Sequence, residues 1–194
     1  MTMMRTLQSA RLWLEPQTAL HAPAMFEVLG DPAIYAYENQ PPVSLEALTR
    51  RFTRLEARQS PDGSEQWLNW VLRQRSDGEL IGYVQATVQA DGRALVAYEL
   101  ASHHWGRGLG SEAVQAMLDE LAGSGPVQPV QPVRPVRPVQ QVRPVHQALA
   151  IFKRANHRSL ALLLRLGFAE AAADDPARSA LEPDERLMSR SLPG

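Results

Sequence analysis

The stretch from Tyr98 to Ala113 reads Tyr-Glu-Leu-Ala-Ser-His-His-Trp-Gly-Arg-Gly-Leu-Gly-Ser-Glu-Ala, and it limits what the chain can fold into more than any other. Before it, Ala94 to Leu100 is apolar and β-prone, as a buried strand should be. After it, Ala113, Val114, Met117, Leu118 and Leu121 fall on one helical face. Between them, Gly106, Gly108 and Gly110 remove side chains where the backbone must turn and a guest must come close. A helix that starts in such a turn aims free N–H groups and a positive dipole end at whatever lies above it. The natural guest is a phosphate.

Two familiar phosphate loops do not fit. A dinucleotide fingerprint needs its third glycine one place later, near the start of a βαβ unit. A nucleotide-triphosphate loop needs Lys-Ser/Thr after its last glycine, and Ser111-Glu112 stands there instead. Composition narrows the classes further. The chain has 194 residues and is 44% apolar, which suits one globular domain with a sizeable core. Its net charge is −1, so no basic field gathers nucleic acid or anionic lipid. With no cysteine, disulfides and thiolate chemistry are excluded, and a reducing cytoplasm is the expected setting. The first residues, Met1-Thr2-Met3-Met4-Arg5, lack the apolar core of a signal peptide, and no apolar run is long enough for a membrane span. No His/Asp/Glu cluster has metal-ligand spacing along the chain, so no metal is expected.

The remaining elements follow from local pattern. A first strand spans Arg11 to Glu15, closed by Pro16. Helices are expected at His21–Leu29, from Asp31-Pro32 through Tyr37, and at Leu45–Arg58, where Ser44 is the cap. Trp67–Arg73, Leu80–Gln89 and Ala94–Leu100 read as an antiparallel meander joined by Asp77-Gly78 and Asp91-Gly92 turns. The helix after the glycine turn ends near Ala122-Gly123. Gln147–Lys153 is a strand, Asn156–Leu166 a helix ended by Gly167, Phe168 the start of another strand, and Glu185–Leu192 the last. Trp67 and Trp70, on one strand, read as packing residues.

Residues 126–146 are different. They form Pro-Val-Gln/Arg triplets, ending Pro-Val-His. Proline at every third position forbids helix and suits polyproline II, which would reach roughly 60–65 Å if extended. The elements on either side must rejoin one domain, so the segment reads as a low-complexity insertion in a tolerant loop. A Pro-rich docking site with Arg134, Arg137 and Arg143 along one edge is the second reading.

The stretch from Tyr98 to Ala113 resembles motif A of the GNAT N-acetyltransferases, whose core is Arg/Gln-x-x-Gly-x-Gly/Ala, with Gly108 and Gly110 at the glycine positions. Trp105 in place of the usual Arg/Gln, with Gly106, Ser111, Glu112 and Ala113, resembles the RimJ/RimL type, the acetyltransferases of ribosomal-protein N-termini. Downstream, Asn156-x-x-Ser159 with Leu166-Gly167-Phe168 is similar to motif B. The resemblance implies a single GNAT domain over 1–194. It also implies an α/β (α+β) fold, a mixed, mostly antiparallel sheet of about seven strands with about four helices.

It further implies acetyl-coenzyme A as donor. The main chain from Gly106 through Arg107, Gly108, Leu109 and Gly110 to Ser111 would hold the pyrophosphate beside Trp105. Leu100, Ala101 and Ser102 would pair with the pantetheine arm, one N–H steadying the oxyanion, and Asn156 would contact that arm. Arg107 is either a phosphate contact or a solvated side chain. Many relatives carry a Tyr acid where Leu163 stands and some a Glu base where Ile151 stands, so neither role carries over. Ser159 is the candidate acid and Glu99 the candidate base. His103 and His104 read as loop histidines. Tyr35, Tyr37 and Glu38 fall where the family forms its acceptor cleft. The expected acceptor is a primary amine, first a protein N-terminus, then a polyamine, antibiotic or other small amine. A silent acyl-CoA-binding or Pro-rich interaction module is the alternative outside enzymes. Relatives are often dimers, which implies a possible homodimer.

Overall fold

The computed structural model describes residues 4–37, 39–123 and 144–193. Its centre is a sheet of eight strands among the described residues: β1 (Leu7–Gln8), β2 (Leu12–Pro16), β3 (Gln66–Gln74), β4 (Leu80–Val88), β5 (Arg93–Leu100), β6 (Gln147–Lys153), β7 (Ala169–Glu170) and β8 (Glu185–Ser191). They lie in the order β1-β2-β3-β4-β5-β6-β8-β7, antiparallel at every junction except the parallel pair β5–β6. The count is one above the expected seven because β1 is only two residues long and leaves no period to read. Among the described residues four α-helices accompany the sheet: α1 (Ala22–Val28), α2 (Leu45–Leu55), α3 (Leu109–Leu121) and α4 (His157–Arg165).

Side-chain caps mark where α2 and α4 begin. Ser44 Oγ accepts from the Ala47 N–H at 3.1 Å, and Asn156 Oδ1 accepts from the Ser159 N–H at 3.1 Å. The turn after Asp31 is a 3-10 helix over Pro32–Tyr35 rather than a longer helix, and Asp31 caps it by accepting from the Ala33 N–H at 2.9 Å. The two faces of the sheet have separate cores. Ala94, Val96 and Leu100 face α3, whose Ala113, Val114, Met117 and Leu118 are buried against them. On the other face Met25 of α1 and Leu48 and Phe52 of α2 close over Val71 and Leu80. Trp70 is buried and its Nε1 donates to the Arg5 carbonyl at 3.0 Å, which makes it a core residue.

The junction between β5 and β6 shapes the site. These strands pair only from Arg93↔Gln147 to Leu95↔Leu149. Beyond Leu95, β5 stays in register with β4 as far as Leu100, and β6 stays with β8 as far as Lys153. The two halves of the sheet therefore separate, and a gap opens between the last residues of β5 and β6. Of the Pro-Val triplets, all but the final Pro144-Val145-His146 lie outside the described residues. Val145 is buried, and the His146 N–H donates to the Gly92 carbonyl at 2.9 Å, which fastens the chain beside β5 before β6 begins. Among the described residues no helix is long and apolar enough to cross a membrane.

Candidate active site

The glycine turn delivers α3 to the mouth of the gap. Gly106 and Gly108 have φ of 73° and 78°, a left-handed backbone that a side chain would strain. Gly108 is the N-cap of α3, and the first helical bond runs from the Glu112 N–H to the Gly108 carbonyl at 3.1 Å. The N–H groups of Leu109, Gly110 and Ser111 therefore lack helix acceptors and point forward from the positive end of a 13-residue helix. A Cβ on Gly106 would meet nothing within 4 Å, so the space over the turn is open. Gly110 has another reason to be glycine: a Cβ there would lie 3.0 Å from Leu162 Cδ1 of α4.

Side chains brace the turn. Arg11 Nη1 donates to the Arg107 carbonyl at 2.9 Å, and its Nε pairs with Glu112 at 2.7 Å. Trp105 Nε1 donates to the Leu100 carbonyl at 2.8 Å, and the Arg158 guanidinium sits 3.7 Å over the Trp105 ring. Arg165 Nη1 donates to Ser111 Oγ at 3.2 Å. Trp105, Gly108, Gly110, Ser111, Arg158 and Arg165 all line a cleft of about 320 Å³. Arg107 does not line it; its side chain is exposed. Among the described residues, the arginines lining the cleft are Arg158 and Arg165 on α4, which sequence reasoning passed over. A signal was present: with Asn156 as cap, residues 158, 162 and 165 share one face of α4.

The gap exposes fewer main-chain donors than expected. The Ala101 N–H donates to the Ile81 carbonyl on β4 at 2.9 Å, and the Ser102 N–H donates to Asp31 Oδ2 at 2.7 Å. Hydrogen bonds from the Ser102 side chain and main chain hold the Asp31 carboxyl below its usual range. Successive strand residues turn their N–H and C=O groups to opposite sides. With Ala101 bonded to β4, the N–H of Leu100 is turned toward the gap.

At the floor of the gap the Tyr98 hydroxyl lies 2.6 Å from Ser159 Oγ. Burial pushes the Tyr98 phenol up to about 12, so it keeps its proton at neutral pH. Asn156, through its cap bond to the Ser159 N–H, fixes the start of α4 beneath this pair. Tyr98 was not expected at the cleft, although the alternation of Ala94, Val96, Tyr98 and Leu100 already assigns it to the α3/α4 face.

A second cleft, of about 380 Å³, opens on the α1/α2 face. Tyr35, Tyr37, Arg51, Tyr83, Gln85 and Glu99 line it. Burial, then the Glu99 charge, raises the Tyr83 phenol, and the same pair of causes raises Tyr35 to about 12. The Tyr35 hydroxyl donates to the Leu29 carbonyl at 2.9 Å, so its ring faces the cleft while its donor is spent on structure. Leu163 and Ile151, where relatives carry their Tyr and Glu, line this cleft as plain aliphatic groups. Glu38 lies outside the described residues. Tyr37, Tyr98, Glu99, Asn156 and Ser159 line both clefts, which therefore meet around the Tyr98–Ser159 pair.

The family described as "Acetyltransferase (GNAT) domain" matches residues 11–169. An uncharacterized N-acetyltransferase p20 of Bacillus licheniformis is 29% identical over 118 residues, 60% of this chain and 65% of that protein. The chain thus spans about two-thirds of the length of that curated relative. Among solved structures, the ribosomal L7/L12 α-N-protein acetyltransferase RimL with coenzyme A superposes with a TM-score of 0.73 at 15% identity, covering 97% of this chain and 98% of that one. A ribosomal-protein-S5-alanine acetyltransferase from Vibrio fischeri gives 0.71 at 16% identity, with 97% of each chain covered. The microcin C7 self-immunity acetyltransferase MccE with acetyl-CoA and AMP gives 0.69 at 13% identity, covering 94% and 93%. At such identities the superpositions speak for the fold, and the family match speaks for descent: this chain belongs to the GNAT acetyltransferase family.

Proposed function

We propose that the chain moves an acetyl group from acetyl-CoA to a primary amine, and that the α-amino group of a protein N-terminus is its acceptor. One observation carries the reading: two clefts on opposite faces of the sheet meet at Tyr98, Glu99 and Ser159. A donor and an acceptor that enter from opposite sides can react there directly, without a covalent enzyme intermediate. The α3 end of the first cleft suits a pyrophosphate. It offers the N–H groups of Leu109, Gly110 and Ser111, open space over Gly106, and the cations Arg158 and Arg165. The thioester supplies the activated acetyl group.

The chain's own groups would then do three things. The Leu100 N–H would donate where charge develops on the acetyl oxygen. Glu99 would accept the amine proton, directly or through one water. Ser159, backed by the Tyr98 hydroxyl at 2.6 Å, would return a proton to the departing thiolate. The acceptor follows from proton arithmetic. At pH 7 about a tenth of α-amino groups are uncharged, against roughly 0.04% of lysine side chains. The RimL and S5 acetyltransferases share this fold and, by name, act on ribosomal proteins, which supports the same choice.

The test is thiol release from acetyl-CoA with a panel of N-terminal peptides and small amines. Peptides should be the best acceptors, with kcat/KM rising from pH 6.5 to 8.5 as the amine loses its proton and then holding level. The Tyr98 phenol, at about 12, predicts no alkaline decline below about pH 10. A decline centred near pH 8–9 would remove the Tyr98–Ser159 pair as proton source. Binding without release for any amine would favour the silent module, and no binding of acetyl-CoA would end the reading.

A further inference from the structure

Glu79, His103 and His104 meet in space although they come from two different turns. Glu79 closes the β3–β4 turn, where its N–H donates to Asp77 Oδ1 at 3.0 Å and its carbonyl accepts from the Gln74 N–H at 2.8 Å. His103 and His104 belong to the 3-10 turn Ser102–His104 that links β5 to the glycine turn. One ring nitrogen from each histidine and one Glu79 carboxylate oxygen all lie within 4.8 Å of one another. His103 Nε2 is 3.6 Å from Glu79 Oε1, and His104 Nε2 is 3.6 Å from Glu79 Oε2.

These separations are too long for N–H···O hydrogen bonds, which span about 2.7–3.2 Å. The two contacts fall on different Glu79 oxygens, so the two ring nitrogens and one carboxylate oxygen, all within 4.8 Å of one another, would draw closer to share a tetrahedral cation. With metal–ligand bonds of about 2.0–2.1 Å, neighbouring donor atoms stand roughly 3.3–3.4 Å apart. His104 adds an independent sign. It is 3% exposed, and among the described residues neither of its ring nitrogens has a hydrogen-bond partner. A buried imidazole without partners is costly, and ligation of one nitrogen would offset that cost. The backbones on both sides of the cluster are fixed by the turn bonds, so the three donors need no large rearrangement to converge.

We propose that Glu79, His103 and His104 form a binding site for a divalent transition metal of the zinc class, with water in the remaining position. Two imidazoles and one carboxylate match the donors zinc takes, and they are a poor set for calcium or magnesium, which take oxygen. His103 and Glu79 are 63% and 50% exposed, so the ion has an open approach and room for water. The ion would tie the β3–β4 turn to the turn that carries Trp105 and Gly106. Because His104 also lines the α3-side cleft, metal binding would stiffen one wall of that cleft without entering the transfer chemistry. Sequence spacing hides the site, because the β4–β5 pairing is what carries Glu79 back to the histidines.

The experiment uses the full, untagged chain, stripped with a chelator and dialysed, then titrated with zinc against a chromophoric competitor and with cobalt(II) followed by visible absorption. One saturable equivalent is expected, with a four-coordinate cobalt spectrum. Glu79→Gln and His103→Ala should each weaken binding by at least about tenfold while the far-UV circular dichroism is unchanged. With free zinc about a hundredfold above Kd, the thermal midpoint of the parent chain should rise by roughly 5–10 °C and that of the variants much less. No saturable equivalent, or equal uptake by parent and variants, would overturn the proposal. So would variants that lower the midpoint while zinc does nothing, since the cluster would then be a histidine–carboxylate ion pair.

Discussion

A hydroxyl pair sits where the two clefts meet, and its members are unequal. Ser159 Oγ is the smaller group, and Tyr98 supplies a phenol that burial keeps protonated. Removing Ser159 Oγ takes away the proposed proton donor itself. Ser159→Ala should lower kcat about a hundredfold, near the low end of what acid–base groups contribute, and leave coenzyme A affinity within about twofold. Tyr98→Phe removes only the support of that donor and should cost kcat about tenfold. The double variant should be no worse than Ser159→Ala, because the two groups act as one unit. Thiol-release kinetics and coenzyme A titration would check all three, and an unchanged kcat in Ser159→Ala would remove Ser159 from the acid role. Ser159 entered as a candidate through the resemblance of Asn156-x-x-Ser159 to motif B, and the structure sets it beside the Tyr98 hydroxyl. Tyr98 carried no such signal, because it stands in an apolar strand and reads there as packing.

At the level of elements, the β4–β5 pair sets the wall of the gap. Gly82 lies opposite Leu100 on β4, next to a register shift between Leu72 and Arg73 on β3. A Cβ on Gly82 would fall 2.1 Å from the Glu99 carbonyl oxygen and 2.8 Å from Leu100 Cα, and both are backbone atoms that cannot swing aside. Gly82→Ala must therefore push β5 away from β4. It should cost roughly 2–3 kcal/mol, typical of overpacking, and lower the thermal midpoint by about 5–10 °C. Coenzyme A affinity should fall with it, because Leu100 moves. Scanning calorimetry and a binding titration would show both changes, and a midpoint within 1–2 °C of the parent's would contradict this account. Most elements were readable from pattern: the meander, the Ser44 and Asn156 caps, and the helix after Gly108 all follow from periods and capping residues. The exceptions are short or bonded at a distance. β1 has two residues, and the capture of the Ser102 N–H by Asp31 joins positions that no local rule connects.

For the whole molecule, the sheet is one continuous hydrogen-bonded unit only through the short β5–β6 pairing, and the insertion lies between these strands in the chain. Its far end is anchored by buried Val145 and by the bond from the His146 N–H to Gly92. The fold should therefore tolerate a change in the length of the residues between Gly123 and Pro144. Replacing residues 126–143 with a Gly-Ser linker of half that length changes loop-closure free energy by only about 0.6 kcal/mol. The thermal midpoint should stay within about 2 °C, and kcat/KM for a peptide acceptor should be unchanged. A fall in either would mean that the triplets contribute to the folded domain.

The parting of β5 and β6 has a consequence for solubility as well as for chemistry. An unpaired strand edge is ordinarily a hazard, because it invites strands from other molecules to add on and so seeds aggregation. Here two such edges face each other inside the molecule, joined at residues 93–95 and 147–149 and flanked by helices on both faces of the sheet. A slender extended guest can slip between them lengthwise, whereas the sheet of another molecule would have to displace a helix to reach them. Among the described residues, the edges of β5 and β6 beyond Leu95 and Leu149 are thus less open to strand addition than a free outer edge would be.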